Sequence, residues 1–183
     1  MDRFALVLPG EPDAVRLMNT LWSDRARVRD ALGEPAHLQR WVAAVRPQVR
    51  VEATDLDAFR TLREALHVVA RHHLGDHAAP SAVQDALAVV NAATASAQGW
   101  SEYVLTADGL ACRPTGRGTP VGRLLADLAS EALDLLLAGD LEKCRAHGCA
   151  HYYTLKPHRR WCSQRCGNRV RVARHYHRRR ENT

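Results

Sequence analysis

Residues 159–180 read "RRWCSQRCGNRVRVARHYHRRR", and this stretch decides how the chain is interpreted. It places two cysteines, Cys162 and Cys166, among nine arginines and no acidic residue. So many charges of one sign cannot lie in an apolar core, because a buried charge needs a partner of opposite sign. The two thiols therefore require an explanation other than burial among apolar side chains.

Two more cysteines lie upstream, and together the four form the pattern C-x4-C-x12-C-x3-C, with ligands at Cys144, Cys149, Cys162 and Cys166. Two close pairs separated by about a dozen residues suit a tetrahedral Zn²⁺ site, since each pair supplies one edge of the tetrahedron. Two disulfides are the alternative, and His147, His151 or His158 could replace one thiolate. Four cysteines already complete the shell, and nothing in the sequence suggests export, so we predict one Zn²⁺ per chain.

The spacing also predicts the shape of this module. Residues 151–161, "HYYTLKPHRRW", are expected to fold back as a hairpin with its turn at "KPH". Ser163 is a good N-cap, which would place Cys166 in the first turn of a helix, where the helix dipole favours a thiolate. A knuckle, a hairpin and a helix that begins at its own ligands make a treble-clef-like zinc finger.

Charge divides the chain into two unequal parts. From Lys143 onward, twelve lysines and arginines stand against one acid, so this part carries +11 and the preceding residues carry −5 of the net +6. Such asymmetry indicates that the basic part binds a polyanion. No apolar run approaches the length of a membrane span, and the N-terminus does not read as a signal peptide, so we expect no membrane association and a cytoplasmic protein.

The remainder predicts a mainly α fold with one small β-hairpin. Apolar residues recur at helical spacing in most of residues 1–140, and only 5% of the residues are aromatic. Asp13 is expected to cap one helix and Thr54 to open another. Two apolar helix faces are expected, one at Leu38, Trp41, Val42 and Val45, the other at Leu56, Phe59, Leu66 and Val69. The exception is a hairpin at about residues 100–113, where an Asp-Gly pair separates two β-prone segments. We therefore expect a helical regulatory domain over 1–140 and the zinc finger over 141–183.

No candidate catalytic residues emerge, and we predict that the protein is not an enzyme. His72, His73 and His77 suit the C-terminal end of a helix through its dipole, without any metal. Glu64, Asp85 and Asp127 are isolated carboxylates. Cys112, distant from the other cysteines, is interpreted as a small buried apolar residue.

The segment "RRWCSQRCGNRVRVARHY" closely resembles the CGNR zinc finger, named for the tetrapeptide at Cys166-Gly167-Asn168-Arg169. In that family the finger follows a helical domain called ABATE, and the proteins are described as stress-induced transcription regulators. Weaker marks of that domain are Asn19-Thr20, Leu38 with Trp41, and "LLLAGDLEKC". The family usually has an acidic residue and a hydroxyl in the finger's turn, whereas this chain has "LKPH".

A helical projection assigns roles to the arginines. Cys162, Cys166, Val170, Ala173 and His177 share the face expected to turn toward the zinc, whereas Arg171, Arg174 and Arg178 form an adjacent stripe suited to nucleic acid. Gly167 begins the stripe and would let a ligand approach the backbone closely. Arg165 and Arg169 lie close to a ligand in sequence and are expected to support the site with N–H groups directed at sulfur or carbonyl oxygen. Arg169 and Asn168 are also candidate nucleic-acid contacts, although Asn168 could instead stabilise the first helical turn.

These features and the resemblance together predict a DNA-binding transcription regulator with a structural zinc. The acidic domain would sense a signal, bind a small-molecule or protein effector, or form a homodimer, with Trp22, Trp41 and Trp100 lining a pocket or packing in the core. An RNA-binding or ribosome-associated factor is one alternative, because treble-clef-like fingers serve both polymers. A thiol-zinc redox sensor, in which oxidation releases the metal, is the other.

Overall fold

The computed structural model describes residues 10–24, 27–97, 99–107 and 109–181. Within these ranges it contains six α-helices and three two-stranded antiparallel sheets, so the mainly α fold class is confirmed. None of these helices is long and apolar enough to cross a lipid bilayer. In chain order the elements are α1 (Asp13–Met18), β1 (Leu21–Asp24), β2 (Arg27–Asp30), α2 (Pro35–Val45), α3 (Leu56–His73), α4 (Pro80–Ser96), β3 (Gly99–Thr106), β4 (Gly109–Gly116), α5 (Pro120–Leu137), β5 (Leu141–Lys143), β6 (Tyr152–Thr154) and α6 (Gln164–Glu181).

The core lies between α1, α3, α4 and α5, which pack on one another through their apolar faces. The predicted faces are the buried ones: Leu38, Trp41, Val42 and Val45 on α2, and Leu56, Phe59, Leu66 and Val69 on α3. The indole of Trp41 meets the ring of Phe59 edge-on, with ring centroids 6.1 Å apart. Such edge-to-face packing stabilises a core beyond simple burial.

Two helices begin differently from the sequence pattern. Asp13 was expected to cap α1, but Pro12 precedes the helix and Asp13 is its first residue, where its carboxylate pairs with Arg16 and Arg46. Thr54 was expected to open α3, but it lies in a short 3-10 turn, Ala53–Asp55, stabilised by reciprocal side-chain-to-backbone bonds between Glu52 and Asp55. This capping box satisfies the backbone amides of Glu52 and Asp55 at the start of the turn.

The hairpin expected at about residues 100–113 spans β3 and β4, and its turn contains Gly109 at a φ of 114°. Only glycine adopts that angle at no steric cost. The interpretation of Cys112 as a buried residue is wrong, because it is exposed on β4 opposite Tyr103. The error arises because a two-stranded hairpin can leave both of its faces exposed. An apolar residue in such a hairpin need not be buried.

A buried charge network connects the β1–β2 hairpin to α3. Arg63, only 1% exposed, donates two hydrogen bonds to the carboxylate of Asp30 at 2.6 and 2.9 Å and a third to the hydroxyl of Thr20 at 3.1 Å. Burial alone would raise the pKa of Asp30, but the hydrogen bonds from Arg63 and from the amide of Leu32, together with the charges of Arg63 and Arg60, lower it. A guanidinium so deeply buried is stable only with such a paired carboxylate.

The end of α1 joins β6 through the side chain of Asn19. Its amide nitrogen donates to the carbonyl of Tyr152 at 2.9 Å, and its oxygen accepts from the amide of Tyr152 at 2.8 Å. Leu141 of β5 and Tyr152 of β6 are both 1% exposed and belong to the same apolar core as the helices. The packing thus continues across the boundary expected near residue 140.

Asn19→Ala should destabilise the fold by about 3 kcal/mol, because it leaves the buried N–H and C=O of Tyr152 without partners. Urea unfolding followed by far-ultraviolet circular dichroism, at a fixed excess of zinc, measures this change. Asn91→Ala is the matched control, since Asn91 is exposed on α4, and it should change stability by less than about 0.5 kcal/mol. Equal effects of the two substitutions would contradict the role given to Asn19.

Candidate metal centre

The four predicted cysteines converge. The sulfur atoms of Cys144, Cys149, Cys162 and Cys166 all lie within 4.8 Å of one another. The Cys149–Cys162 pair is 3.7 Å apart and the Cys162–Cys166 pair 3.6 Å. A tetrahedral zinc with Zn–S bonds of about 2.3 Å requires sulfur atoms about 3.8 Å apart. The cluster therefore has the donor set and the dimensions for one Zn²⁺.

Local structure accounts for the position of each ligand. Cys144 follows β5, and the loop back to β6 is closed by the amide of Cys149, which donates to the carbonyl of Ala146 at 2.9 Å. Cys166 lies in the first turn of α6, where its amide donates to the hydroxyl of Ser163 at 3.3 Å. The N-cap assigned to Ser163 is therefore correct.

The hairpin of the finger lies elsewhere than predicted. The strands that pair are β5 and β6, in the register Leu141 with Thr154, so the turn between them is the knuckle that carries Cys144 and Cys149. Residues 155–163 form a loop with a turn at 157–158 rather than a second strand. The hairpin was predicted after Cys149 because β5 lies before Cys144 and two of its three residues are charged. Its sequence therefore does not resemble that of a strand.

Without a cation, four thiols this close cannot all ionise, because their negative charges repel. Hydrogen bonds from Cys149 and Cys162 lower the pKa of Cys144. The bond to Cys144 raises the pKa of Cys149 to about 12, and the pKa of Cys162 also rises. A divalent cation removes this conflict, since metal binding requires all four thiols to be deprotonated.

The three alternative histidine ligands lie outside the cluster. His147 and His158 are exposed, whereas His151 is partly buried, with its Nδ1 3.5 Å from the sulfur of Cys149. Burial lowers the pKa of His151, so the neutral imidazole is favoured at this position. His151 is therefore a neighbour of a ligand, as is common around metal sites, while the four cysteines form the shell.

The two arginines expected to support the site behave differently. Arg169 directs a guanidinium N–H at the sulfur of Cys166, 3.4 Å away. Arg165 is exposed and makes no hydrogen bond or ion pair within the described part of the chain, so the expected support from this residue is absent there. Arg169 lies about one turn after Cys166 inside α6, so the two side chains share a helix face, whereas Cys162 precedes the helix and does not share a helix face with Arg165.

Arg159, which the sequence did not single out, holds the loop that carries the third ligand. Its guanidinium donates to the carbonyl of Cys162 at 2.8 Å and to that of Trp161 at 3.3 Å, and lies 5.0 Å from the ring centroid of Tyr153. A single arginine thereby fixes the backbone on either side of the Trp161–Cys162 bond.

Arg159 is in turn paired with Glu11, whose side chain is only 2% exposed. The same carboxylate accepts from the amide of Thr154 at 2.9 Å and from its hydroxyl at 2.7 Å. A buried carboxylate of this kind is stable because each of its two oxygens has a donor. No local signal predicts this contact, since Glu11 and Thr154 are 143 residues apart.

The arginine stripe faces solvent. Arg171, Arg174 and Arg178 are all exposed on α6. Asn168 accepts a hydrogen bond from Arg171, three residues later, so its side chain serves the first turns of the helix. The expected zinc-facing side is shorter than predicted: Val170 is partly buried, Ala173 is exposed, and the side chain of His177 lies outside the described residues.

Gly167 serves a purpose other than the predicted approach of a ligand. A Cβ at this position would lie 3.1 Å from Cδ1 of Trp161, so the glycine lets the indole pack directly on the helix backbone. A glycine inside a helix costs about 1 kcal/mol relative to alanine. Its presence in α6 therefore indicates that a neighbouring group lies too close for a larger side chain. The sequence did not identify that neighbour as Trp161.

Of the two alternatives for the tryptophans, a pocket or the core, Trp41 takes the core, where it is buried. Trp22 is partly buried, and the side chain of Trp100 lies outside the described residues. An open groove of about 520 Å³ does exist, but it follows α5. Four carboxylates and Arg46 contribute to its lining, the acidic residues being Asp127, Glu131, Asp134 and Asp140.

Comparison with known families agrees with these features. Residues 11–139 match the ABATE family, whose description reads "Putative stress-induced transcription regulator". Residues 141–179 match the CGNR zinc finger. No curated protein matches the chain.

Each of the four substitutions Cys144→Ser, Cys149→Ser, Cys162→Ser and Cys166→Ser should abolish stoichiometric zinc binding, because three thiolates leave the tetrahedral shell incomplete. Metal analysis of the purified proteins by mass spectrometry measures the zinc content. Cys112→Ser is the matched control and should retain one zinc per chain. Full zinc content in any of the four cluster variants would show that the site uses another ligand.

Arg169→Ala should weaken zinc binding by roughly 10- to 100-fold, the range for losing a donor that contacts a metal ligand. Competition with a chelating dye gives the affinity. Arg165→Ala removes an equal charge from the adjacent turn and should leave the affinity unchanged. If both variants weaken binding equally, the effect of Arg169 comes from its charge alone rather than from its bond to Cys166.

Proposed function

The chain belongs to the ABATE family and carries a CGNR zinc finger, and on this premise we propose that it is a stress-responsive transcription regulator that binds double-stranded DNA through α6. The observation that carries the proposal is the exposed arginine stripe on a helix rooted in the zinc site. The family description supports a regulator, and the charge and geometry of α6 support nucleic acid as its target.

Helix α6 extends away from the metal centre as an arm. From Arg171 onward every side chain that the structure describes is exposed. Eleven residues, 171–181, remain in the helix beyond that point, which corresponds to a length of about 16 Å. An arm of this diameter and length can enter the major groove of B-form DNA, which admits one α-helix.

The stripe is placed to follow a sugar–phosphate backbone. Arg171, Arg174 and Arg178 are spaced by three and four residues, so they lie on one face of the helix. The whole of α6 contains one acidic residue, Glu181, at its C-terminal end. Guanidinium groups bind phosphate oxygens with two parallel hydrogen bonds, which makes arginine the residue best suited to this contact.

We propose that the metal has a structural role and that the protein binds nucleic acid without catalysing a reaction. Four cysteines close the coordination shell, whereas a catalytic zinc keeps one position open for water or substrate. The Zn²⁺ would supply cohesion to a module too small to build its own core. Cys144, Cys149, Cys162 and Cys166 would hold it, and Arg169 would partly offset the charge of the thiolates.

The helical domain is proposed to regulate the finger through the contacts of α1 with β6. Asn19 and Glu11 bind the backbone of this strand directly, so a shift of α1 would be transmitted to the loop that holds Cys162. A small-molecule or protein effector, or a second copy of the chain, would act by moving α1 and, through these contacts, β6. Coupling of this kind requires an effector that binds the two arrangements with different affinity.

The affinity for duplex DNA should fall with salt, and each stripe contact should contribute a slope of about −0.9 in log affinity against log salt. Arg174→Ala and Arg178→Ala should each weaken binding to every duplex sequence and flatten the slope by about one unit. Fluorescence anisotropy of a labelled duplex at several salt concentrations gives both quantities. Arg50→Ala, an exposed arginine in the helical domain, should change neither.

Two results would count against this proposal in different ways. If Arg174→Ala and Arg178→Ala bind duplex DNA as tightly as the parent with an unchanged slope, the stripe is a solvated face and not a binding surface. Competition at fixed salt between the duplex and a structured RNA identifies the preferred polymer. A clear preference for the RNA would assign the protein to the RNA-binding class.

A further inference from the structure

A groove of about 300 Å³ opens where the loop before α6 meets the start of that helix. It is separate from the four-sulfur cluster, although it shares Cys162 as part of its wall. Its lining includes Trp161, Arg160, Arg171 and His158. The groove has no part in holding the zinc.

The walls of the groove are held in place before any ligand arrives. The indole of Trp161 rests on the backbone of Gly167, where a Cβ would be only 3.1 Å from its ring. The carbonyl of Trp161 accepts from Arg159, which is anchored by the buried carboxylate of Glu11. A site preorganised in this way loses little conformational entropy on binding.

Every charged side chain that lines the groove is basic or a histidine, and no carboxylate contributes to the lining. Arg160 is exposed and makes no hydrogen bond or ion pair in the described ranges of the chain. Arg171 uses one N–H for Asn168 and retains other donors of its five. The remaining polar lining, the side chains of Ser163 and Gln164, can also donate.

The groove is continuous with the stripe, because Arg171 belongs to both. A chain of phosphates that follows Arg178, Arg174 and Arg171 along α6 therefore reaches the groove at the base of the helix. The volume exceeds that of a bare phosphate and leaves room for an attached sugar beside the indole of Trp161. Aromatic rings in nucleic-acid-binding proteins offer this kind of contact to sugars and bases.

We propose that this groove binds one phosphodiester group of the nucleic acid, with Arg160 and Arg171 on the phosphate and the sugar against Trp161. The inference rests on the proposed function and deepens it, since it adds a contact at the base of α6 to those along the arm. The phosphate at the groove fixes where the polymer backbone begins to follow the helix. Contacts to phosphate set register and orientation without reading sequence.

The test compares Arg160→Gln with Arg145→Gln in the full-length, zinc-loaded protein. Both arginines are exposed in the finger, but Arg145 lies in the knuckle, away from the groove. With a labelled duplex, Arg160→Gln should lose about tenfold in affinity and about 0.9 in salt slope, whereas Arg145→Gln should match the parent. Zinc content is measured for each variant, so that loss of folding is recognised.

Trp161 supplies a second signal. The difference in tryptophan emission between the parent and Trp161→Phe should change on addition of duplex, and this change should be lost in Arg160→Gln. If Arg160→Gln binds the duplex like the parent while Arg174→Ala does not, the groove proposal is overturned and the stripe stands. If the parent binds no nucleic acid, the proposed function fails as well.

A titration with inorganic phosphate distinguishes a phosphodiester of nucleic acid from a free phosphate as the ligand of the groove. A Trp161 signal that requires the duplex and is not reproduced by phosphate up to millimolar concentration supports a phosphodiester of the polymer. An Arg160-dependent signal that saturates with phosphate alone, while the duplex has no effect, would overturn the assignment to nucleic acid and leave a site for a free phosphate.

Discussion

The backbone of β6 is bound by two side chains from the beginning of the chain, and the remaining architecture depends on this contact. Asn19 supplies both a donor and an acceptor to Tyr152, and Glu11 accepts twice from Thr154. A strand of three residues would otherwise be paired on one side only. These bonds give β6 the partners that another strand would have supplied, at a depth where unpaired peptide groups are costly. The helical domain and the finger are therefore joined by a bonded interface and do not hang from a flexible linker.

The arginines of the finger, so similar in sequence, separate into two groups in the structure. Arg159 is partly buried and binds Glu11 and the carbonyl of Cys162, and Arg169, although exposed, turns one N–H inward to the sulfur of Cys166. Arg160, Arg171, Arg174 and Arg178 face solvent. The guanidinium groups of Arg159 and Arg169 offset the negative charge of Glu11 and of the thiolates. Four thiolates with one Zn²⁺ would carry a net charge of −2. The outward group has no acid within α6 to offset it except Glu181, and this excess makes a polyanion the natural partner.

Sequence patterns correctly predicted the features that depend on residues close together in the chain. Helix faces followed from apolar periodicity, the N-cap at Ser163 from its hydroxyl, and the metal centre from the spacing of four cysteines. The failures involve tertiary context. The exposure of Cys112 depends on what covers a hairpin, and the position of the finger's hairpin depends on how β5 packs. The contacts of Glu11 and Asn19 with β6 span 143 and 133 residues, and no window of sequence could pair them. The importance of Arg159 follows from the same contacts and was hidden for the same reason.

The burial of Glu11 has a consequence for how the protein is made. Its donors lie in Thr154 and Arg159, so the ribosome adds 143 residues after Glu11 before the first of them exists. At ordinary rates of translation this interval is on the order of ten seconds. Throughout it the carboxylate has no donor from the finger, and the core lacks Tyr152, which closes the apolar cluster beside His67. The nascent helical domain therefore cannot reach its final packing by itself. A shortened chain that ends before β6 would keep the helices but expose an uncompensated acid and an open core, which are features that cellular quality control recognises as unfinished.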